Sequence, residues 1–258
     1  MHPLINVGVK AARGAGKIIL RHFERADQIK ADKKGLSDWV SDVDRSAEHE
    51  IIQTVRRYYP DHAFLGEETG ESGRSDIRWI IDPLDGTSNF LHRLPHFAVS
   101  IAVASGDQIE HAVVYAPCTD ELFTASRGNG AMLNNRRVRV SRARQLGDSL
   151  IGTGAPIRNP EMASRYLPMF ERVIDQTAGI RRAGSAALDL AYVASGRLDG
   201  FWELNLKPWD IAAGMLLVTE AGGLVTELDG NKDVLETGNI LAGNPRIHAA
   251  LEELFRAG

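Results

Sequence analysis

Apolar positions recur at Leu4, Val7, Ala11, Ala15, Ile18 and Ile19, with Lys10, Arg13 and Lys17 between them. That 3.6-residue spacing predicts an amphipathic helix. The polar stretch "ADKKGLSDWVSD" reads as a connector. A second helix is expected from near Asp42, with Ala47, Ile51, Ile52 and Val55 on its apolar face, ending before Pro60. The pattern then shortens to strand length: "HAFLGEE", "RWIID", "FAVSIAVAS", "IEHAVVYAP" and "ELFTAS" are runs joined by turn residues such as Ser105-Gly106-Asp107, and "GAMLNNRRVRVS" reads as a hairpin. The first half is thus expected to be two helices followed by mostly antiparallel strands.

Beyond Leu146 strands alternate with helices. "SLIGTG", "GIRRA", "LDGFWEL" and "NILAGN" read as strands. "PEMASRYLPMFERVIDQ" reads as a helix that Pro168 should kink or break. "SAALDLAYVASG" is a helix closed by Gly196, "WDIAAGMLLVTEAGG" another, and a last helix starts near Pro245. This βα alternation places a boundary near residues 143–148, dividing the chain into 1–145 and 146–258. Neither an internal repeat nor a low-complexity segment is visible.

Composition narrows this picture little. The chain has 258 residues, 43% hydrophobic and 25% charged, enough to bury a core without disulfides. One cysteine, Cys118, forms no framework within the chain and fits a reducing cytoplasm. The N-terminal stretch is broken by charges and lacks the apolar run of a signal peptide, and no run reaches membrane-spanning length, so no membrane role is expected. A net charge of −4 gives no general argument for nucleic-acid binding. Asn134 to Gln145 holds five arginines, readable as a solvated hairpin and connector or as an anion- or partner-binding patch.

The chemistry lies in where the acids fall. Glu67 and Glu68 end one strand, Asp82 ends the next, Asp85 lies in the following turn, and Asp44 and Asp210 fall in the first turns of helices. Each alone has a structural explanation, since acids cap helix starts. The turn Asp82-Pro83-Leu84-Asp85-Gly86 is harder to explain that way: proline fixes the separation of two aspartates and glycine lets the chain turn off tightly. Oxygen-only ligands at such a turn suit magnesium or manganese. The eight histidines are scattered, and His92 and His96 straddle Pro95, so zinc is not indicated. A helical turn starting at Gly86-Thr87 would point free N–H groups at an anion, and Thr87 would add a hydroxyl.

With these residues in place the chain resembles the inositol monophosphatase family of magnesium-dependent, lithium-sensitive phosphatases, and is similar to its bacterial inositol-1-monophosphatases of the SuhB type. The resemblance is carried by "WIIDPLDGTSNF", "WDIAAGMLLVTEAGG", "GEET", "LPHFAVSIAV" and "GSAALDLAYVASGRLDGFWE", along nearly the whole chain. One departure is Ser88, where the common form has a second threonine. The resemblance implies a layered αβαβα sandwich, α/β in class, of the inositol monophosphatase and fructose-1,6-bisphosphatase type, and usually a homodimer. It implies hydrolysis of inositol 1-phosphate or a similar polyol phosphate with two to three magnesium ions, manganese as a substitute and lithium as inhibitor. Glu67, Asp82 and the Leu84 carbonyl would hold one ion, and Asp82, Asp85 and Asp210 a second, with Glu67 helping a weaker third through water. Thr87, hydrogen-bonded to Asp44, would activate the attacking water. Gly86 and Thr87 N–H groups would meet the phosphate. Glu203 and Gly184-Ser185-Ala186 match positions that meet inositol hydroxyls, and Lys33 matches a lysine near the metals. The resemblance also implies a second role: association with RNA polymerase and Nus factors in antitermination on ribosomal RNA operons. Arg181 and Arg182 are candidate contacts for that role, or an ordinary strand end.

Overall fold

The computed structural model describes the backbone of residues 2–25, 33–155 and 160–256, and the side chains within those ranges except at positions 25, 33–41 and 160. Two long helices lead, α1 (Pro3–Arg25) and α2 (Lys33–Arg56). The strands of the first half are β1 (Ala63–Gly66), β2 (Gly70–Ser72), β3 (Ile77–Asp85), β4 (Ala98–Ser105), β5 (Gln108–Ala116), β6 (Glu121–Ser126), β7 (Gly130–Leu133) and β8 (Arg136–Arg137), with a one-turn helix α3 (Thr87–Leu91) after β3. The second half runs β9 (Leu150–Thr153), α4 (Pro160–Gln176), β10 (Gly179–Arg181), α5 (Ala186–Ala194), β11 (Gly200–Glu203), α6 (Pro208–Glu220), β12 (Leu224–Thr226), α7 (Val234–Thr237), β13 (Ile240–Gly243) and α8 (Pro245–Arg256). Helices α1, α4, α6 and α8 each open on a proline, whose missing N–H costs nothing in the first turn and whose fixed φ suits it.

Among the described residues the strands form two sheets, one of eight in the order β2-β1-β3-β4-β5-β6-β7-β8 and one of five in the order β10-β9-β11-β13-β12. The alternation of side chains along each strand sorts them into three apolar layers. Trp79 and Ile81 of β3 join Ala11, Ala15, Ile19, Ile51 and Val55 beneath α1 and α2. Ile80, between them in sequence, points the other way, into a layer with Leu188 and Ala191 of α5, Ile211 and Leu217 of α6, and Phe201 and Ala242 of the second sheet. Trp202 and Leu241 face outward again, against Tyr166 and Val173 of α4 and Ile247 and Leu251 of α8. The order is therefore α1/α2, sheet, α5/α6, sheet, α4/α8: the expected αβαβα sandwich. Sheets covered on both faces read as unbroken apolar runs rather than alternating ones, as in the wholly buried β13. Truncating either fully buried tryptophan, Trp79 or Trp202, would cost about 3–5 kcal/mol.

Several local expectations change. The second helix begins at Lys33, not near Asp42. Leu36, Val40, Val43 and Ala47 keep helical spacing through the stretch read as a connector, and pattern outweighs its Gly and Ser content. Asp44 is consequently deep inside a helix, which removes the capping explanation for it. Pro168 does not break α4: it is exposed, and so is Ser164, the residue whose carbonyl it leaves without a helical N–H. Strand β3 carries on through Asp85 with a shift of register between Asp82 and Asp85, so the two aspartates flank a bulge rather than a strand end and a turn. The short β2, β12 and α7 had no pattern to announce them. The predicted hairpin forms as β7–β8, turning at Asn134 and Asn135, both with positive φ (47 and 63). No described helix is long and apolar enough to cross a membrane.

Candidate active site

The first two acids are brought together by strand pairing. β1 runs parallel to β3 with Gly66 opposite Ile81, and Glu67 N donates to Ile81 O at 3.1 Å. Glu67 therefore leaves the end of β1 beside Asp82. Pro83 cannot donate to the ladder, and Leu84 N turns inward to Asp82 Oδ1 at 2.9 Å. This bulge directs Asp85 across to the second half, where its Oδ2 accepts from Ser185 Oγ at 2.6 Å and Ala187 N at 2.7 Å in the first turn of α5. Asp210 occupies the first turn of α6. One oxygen caps that helix through Lys207 N at 2.7 Å, and the carboxyl lies beside Asp82. Ser100 Oγ, donating to Trp209 O at 3.2 Å, ties β4 to the same helix start.

Two more acids close the group. Asp44 is 6% exposed, and its Oδ1 is buried without a hydrogen-bond partner. Glu203, at the end of β11, lies over Gly154; a Cβ there would fall 1.6 Å from Glu203 Oε1, so only glycine leaves room for the carboxylate. Gly86 caps α3 at φ +99, where a side chain would also meet His96 O at 2.9 Å.

The electrostatics follow from burial and crowding. Burial, with Glu68 and Glu67 nearby, pushes the Asp44 carboxyl up to about 8. Burial raises Glu203 to about 8, Asp85 and Asp210 adding to it and Arg182 opposing. Loss of water raises Glu67 to about 7 despite a hydrogen bond with Asp82. Burial raises Asp85 to about 7, with Asp210 contributing. Asp82, 2% exposed, is pushed well up by burial and then by Asp85 and Glu67. Such a group holds extra protons near neutrality unless positive charge enters. Its donors are all oxygen, which fits a hard cation. Among the described residues, however, no three of them converge closely enough to make a ready-made cage: Asp85 and Asp210 each commit an oxygen to protein N–H groups.

Some expected contacts differ. The hydrogen bond from Thr87 to Asp44 is not made; Thr87 Oγ1 donates to Leu84 O at 3.0 Å, because α3 starts directly over that carbonyl. Ser185 is 1% exposed and its hydroxyl is already used, donating to Asp85 and accepting from Leu188 N. That hydroxyl thereby orients Asp85 at the start of α5. Arg181 and Arg182 are exposed at the end of the edge strand β10. Arg182 turns back toward Gly184, and its charge acts on Glu203 and Asp189. The Lys33 side chain lies outside the described residues. Ser88 is exposed on α3, and its hydroxyl takes part in none of the hydrogen bonds described above. Sequence reasoning missed Asn89, whose Nδ2 bridges His96 O at 2.7 Å and Ala183 O at 2.9 Å, joining the two halves beside the acids. It also missed Glu48 and Asp189. The first signals itself only as an acid four residues after Asp44; the second lies within an apolar helix.

An all-oxygen acidic centre where two sheets and two helix starts meet, between layers of an αβαβα sandwich, is the arrangement of a metal-assisted phosphatase. The model of the inositol monophosphatase family matches residues 1–257. The chain is 51% identical over 253 residues to Nus factor SuhB of Escherichia coli K12, covering 97% of this chain and 95% of that one. The crystal structure of extragenic suppressor protein suhB from Bartonella henselae superposes with a TM-score of 0.92 at 45% identity over 100% of both chains. Inositol monophosphatase from Anabaena sp. PCC 7120 gives 0.89 at 37% identity, over 98% of this chain and 95% of that one. The chain belongs to the inositol monophosphatase family, whose members are phosphatases and generally metal-dependent.

Proposed function

We propose that the chain releases phosphate from myo-inositol 1-phosphate or a closely similar polyol monophosphate. The observation that supports this is one buried acidic group, Glu67, Asp82, Asp85 and Asp210, drawn from both halves and raising one another's pKa values, with Glu203 beside them on β11. Magnesium is the proposed cation, with manganese able to replace it and lithium inhibiting. Glu67, Asp82 and Leu84 O are proposed to hold one ion; Asp82, Asp85 and Asp210 are proposed to hold a second, and a third would be weaker. Bound there, magnesium supplies charge neutralisation for a dianionic ester and lowers the pKa of water.

The protein's own groups do the rest. Gly86 and Thr87 N–H groups, free at the start of α3, receive the phosphoryl oxygens. Asp44, buried and lacking a partner for one oxygen, would accept from the Thr87 hydroxyl, and together they would take the proton of the attacking water. Glu203, with the Gly184–Ala186 loop, faces the polyol hydroxyls; Ser185 serves there by holding Asp85. Residues 1–145 supply the metal turn, and 146–258 supply Asp210 and the substrate side. A homodimer and a cytoplasmic site of action complete the reading.

Phosphate release from inositol 1-phosphate, with and without magnesium, on wild type and Asp85→Asn tests it. Magnesium-dependent release lost in Asp85→Asn is expected. Preference for a 3′-phosphoadenosine nucleotide or fructose bisphosphate would move the substrate assignment, and no release from any of the three would remove it.

A second reading rests on the name borne by the 51%-identical Escherichia coli relative, a Nus factor. The chain would bind RNA polymerase or Nus factors in transcription of ribosomal RNA, with Arg181 and Arg182 as candidate contacts. Asp82→Asn separates the two: a variant without phosphatase activity that still restores growth to cells lacking the gene assigns the required role to binding.

A further inference from the structure

Glu48 lies on α2 one turn after Asp44, on the same face. It is 0% exposed, an unusual place for a carboxylate. Both of its oxygens are satisfied by main chain: Oε1 accepts from Thr69 N at 2.9 Å and Oε2 from Glu68 N at 3.0 Å. These are consecutive N–H groups in the β1–β2 turn, the segment that carries Glu67. The preceding residue is shaped to admit the clamp, since a Cβ on Gly66 would lie 2.5 Å from Glu48 Oε1. Glu67's own N–H is held from the opposite side by Ile81 O. Three successive N–H groups are thus fixed, one by β3 and two by α2, and the Glu67 main chain is gripped between them.

We propose that Glu48 is a positioning residue for Glu67: it sets the affinity of the Glu67–Asp82 end of the site for a divalent cation without touching the cation. The inference rests on reading that acidic group as a cation site. A carboxylate bonded to two buried N–H groups would also stabilise the fold, so the test must separate stability from cation affinity.

Glu48→Gln keeps the volume of the side chain but sets an NH2 against one of the two N–H donors, so only one of the bonds survives. Glu48→Asp keeps the charge and falls short by one methylene. Free Mn2+ is counted by electron paramagnetic resonance as it is titrated into the full chain, and melting of the metal-free protein is followed in parallel. Loss of an outer partner of a metal ligand typically costs about 10–100-fold in affinity or activity, so Mn2+ is expected to bind at least about tenfold more weakly to Glu48→Gln and less severely so to Glu48→Asp. Glu50→Ala is the control. It lies on the same helix and loses a bond from Thr54 Oγ1 that is remote from the turn, so it should shift melting while leaving Mn2+ affinity within about twofold. Glu48 variants that melt lower yet bind Mn2+ as wild type does would overturn the inference. A wild type that binds no Mn2+ would instead overturn the reading of the site beneath it.

Discussion

Without a cation the protein should become less stable as pH rises through neutrality, opposite to a protein held by ionised salt bridges. Asp44 and Glu203 are both raised to about 8 when folded, chiefly by burial, against ordinary values near 4 in the unfolded chain. Between pH 6.5 and 7.5 each holds a proton when folded and none when unfolded, so folding takes up protons and stability falls with pH. Each such group contributes a slope of about 1.4 kcal/mol per pH unit. Together they give about 3, which screening around half-buried Glu203 reduces to roughly 1–3, and Glu67, Asp82 and Asp85, also raised by burial, add to the slope in the same sense. For a chain of this length about 1 kcal/mol moves Tm by roughly 2–4 °C, so a fall of about 2–12 °C is expected from these two groups across that one unit. His62, His96, His111 and His248 are lowered by burial. They act in the opposite sense, but chiefly below about pH 6.5, where their unfolded forms charge. The assay is calorimetric melting of chelator-treated protein at several pH values, repeated with saturating magnesium. Cation binding expels the protons and should flatten the slope. A metal-free Tm that is level or rises from pH 6.5 to 7.5, or a slope that magnesium leaves unchanged, would refute the reasoning.

Gly154→Ala would drive a methyl into the Glu203 carboxylate; KM for a polyol phosphate should rise about tenfold while Mn2+ affinity stays put, and an unchanged KM would take Glu203 out of the substrate side. Gly214→Ala places a Cβ 2.5 Å from Leu190 Cβ in the α5–α6 contact. Overpacking there should cost about 1–3 kcal/mol in chemical denaturation, and a neutral result would mean the two helices separate freely. Asn89→Ala strands the carbonyls of His96 and Ala183; a loss of about 1–3 kcal/mol is expected, with hydrogen exchange rising in both loops together, and exchange confined to one of them would deny the bridge.

The long elements could be read in advance because their periodicity is intrinsic to the chain: α1, β3 to β7, α5, α6 and α8 all announce themselves by spacing and by their turn or proline boundaries. β2 and β12, three residues each, could not, since Gly70–Ser72 and Leu224–Thr226 are strands only by virtue of the neighbours they pair with. The start of α2 lies earlier than local propensity suggests because apolar spacing outweighs the Gly and Ser content of its first turns.

The acids of the site were visible in the same partial way. Glu67 and Asp210 sit at a strand end and a helix start that the sequence marks, Asp82 and Asp85 flank a bulge in β3, and the motif "DPLDG" carries its own turn chemistry through Pro83 and Gly86. Their convergence is a tertiary matter. Only the parallel pairing of β1 with β3 sets Glu67 beside Asp82, and only the packing of α5 and α6 between the sheets brings Ser185 and Asp210 to Asp85 and Asp82. Side-chain commitments were likewise decided in three dimensions: the hydroxyls of Thr87 and Ser185 go to Leu84 O and Asp85, and Glu48, ordinary in sequence, becomes a buried clamp. Periodicity and turn residues are properties of neighbouring positions, so a sequence states them directly. Which carboxylate is desolvated, and which N–H it meets, depends on contacts between distant segments that exist only once the layers have packed.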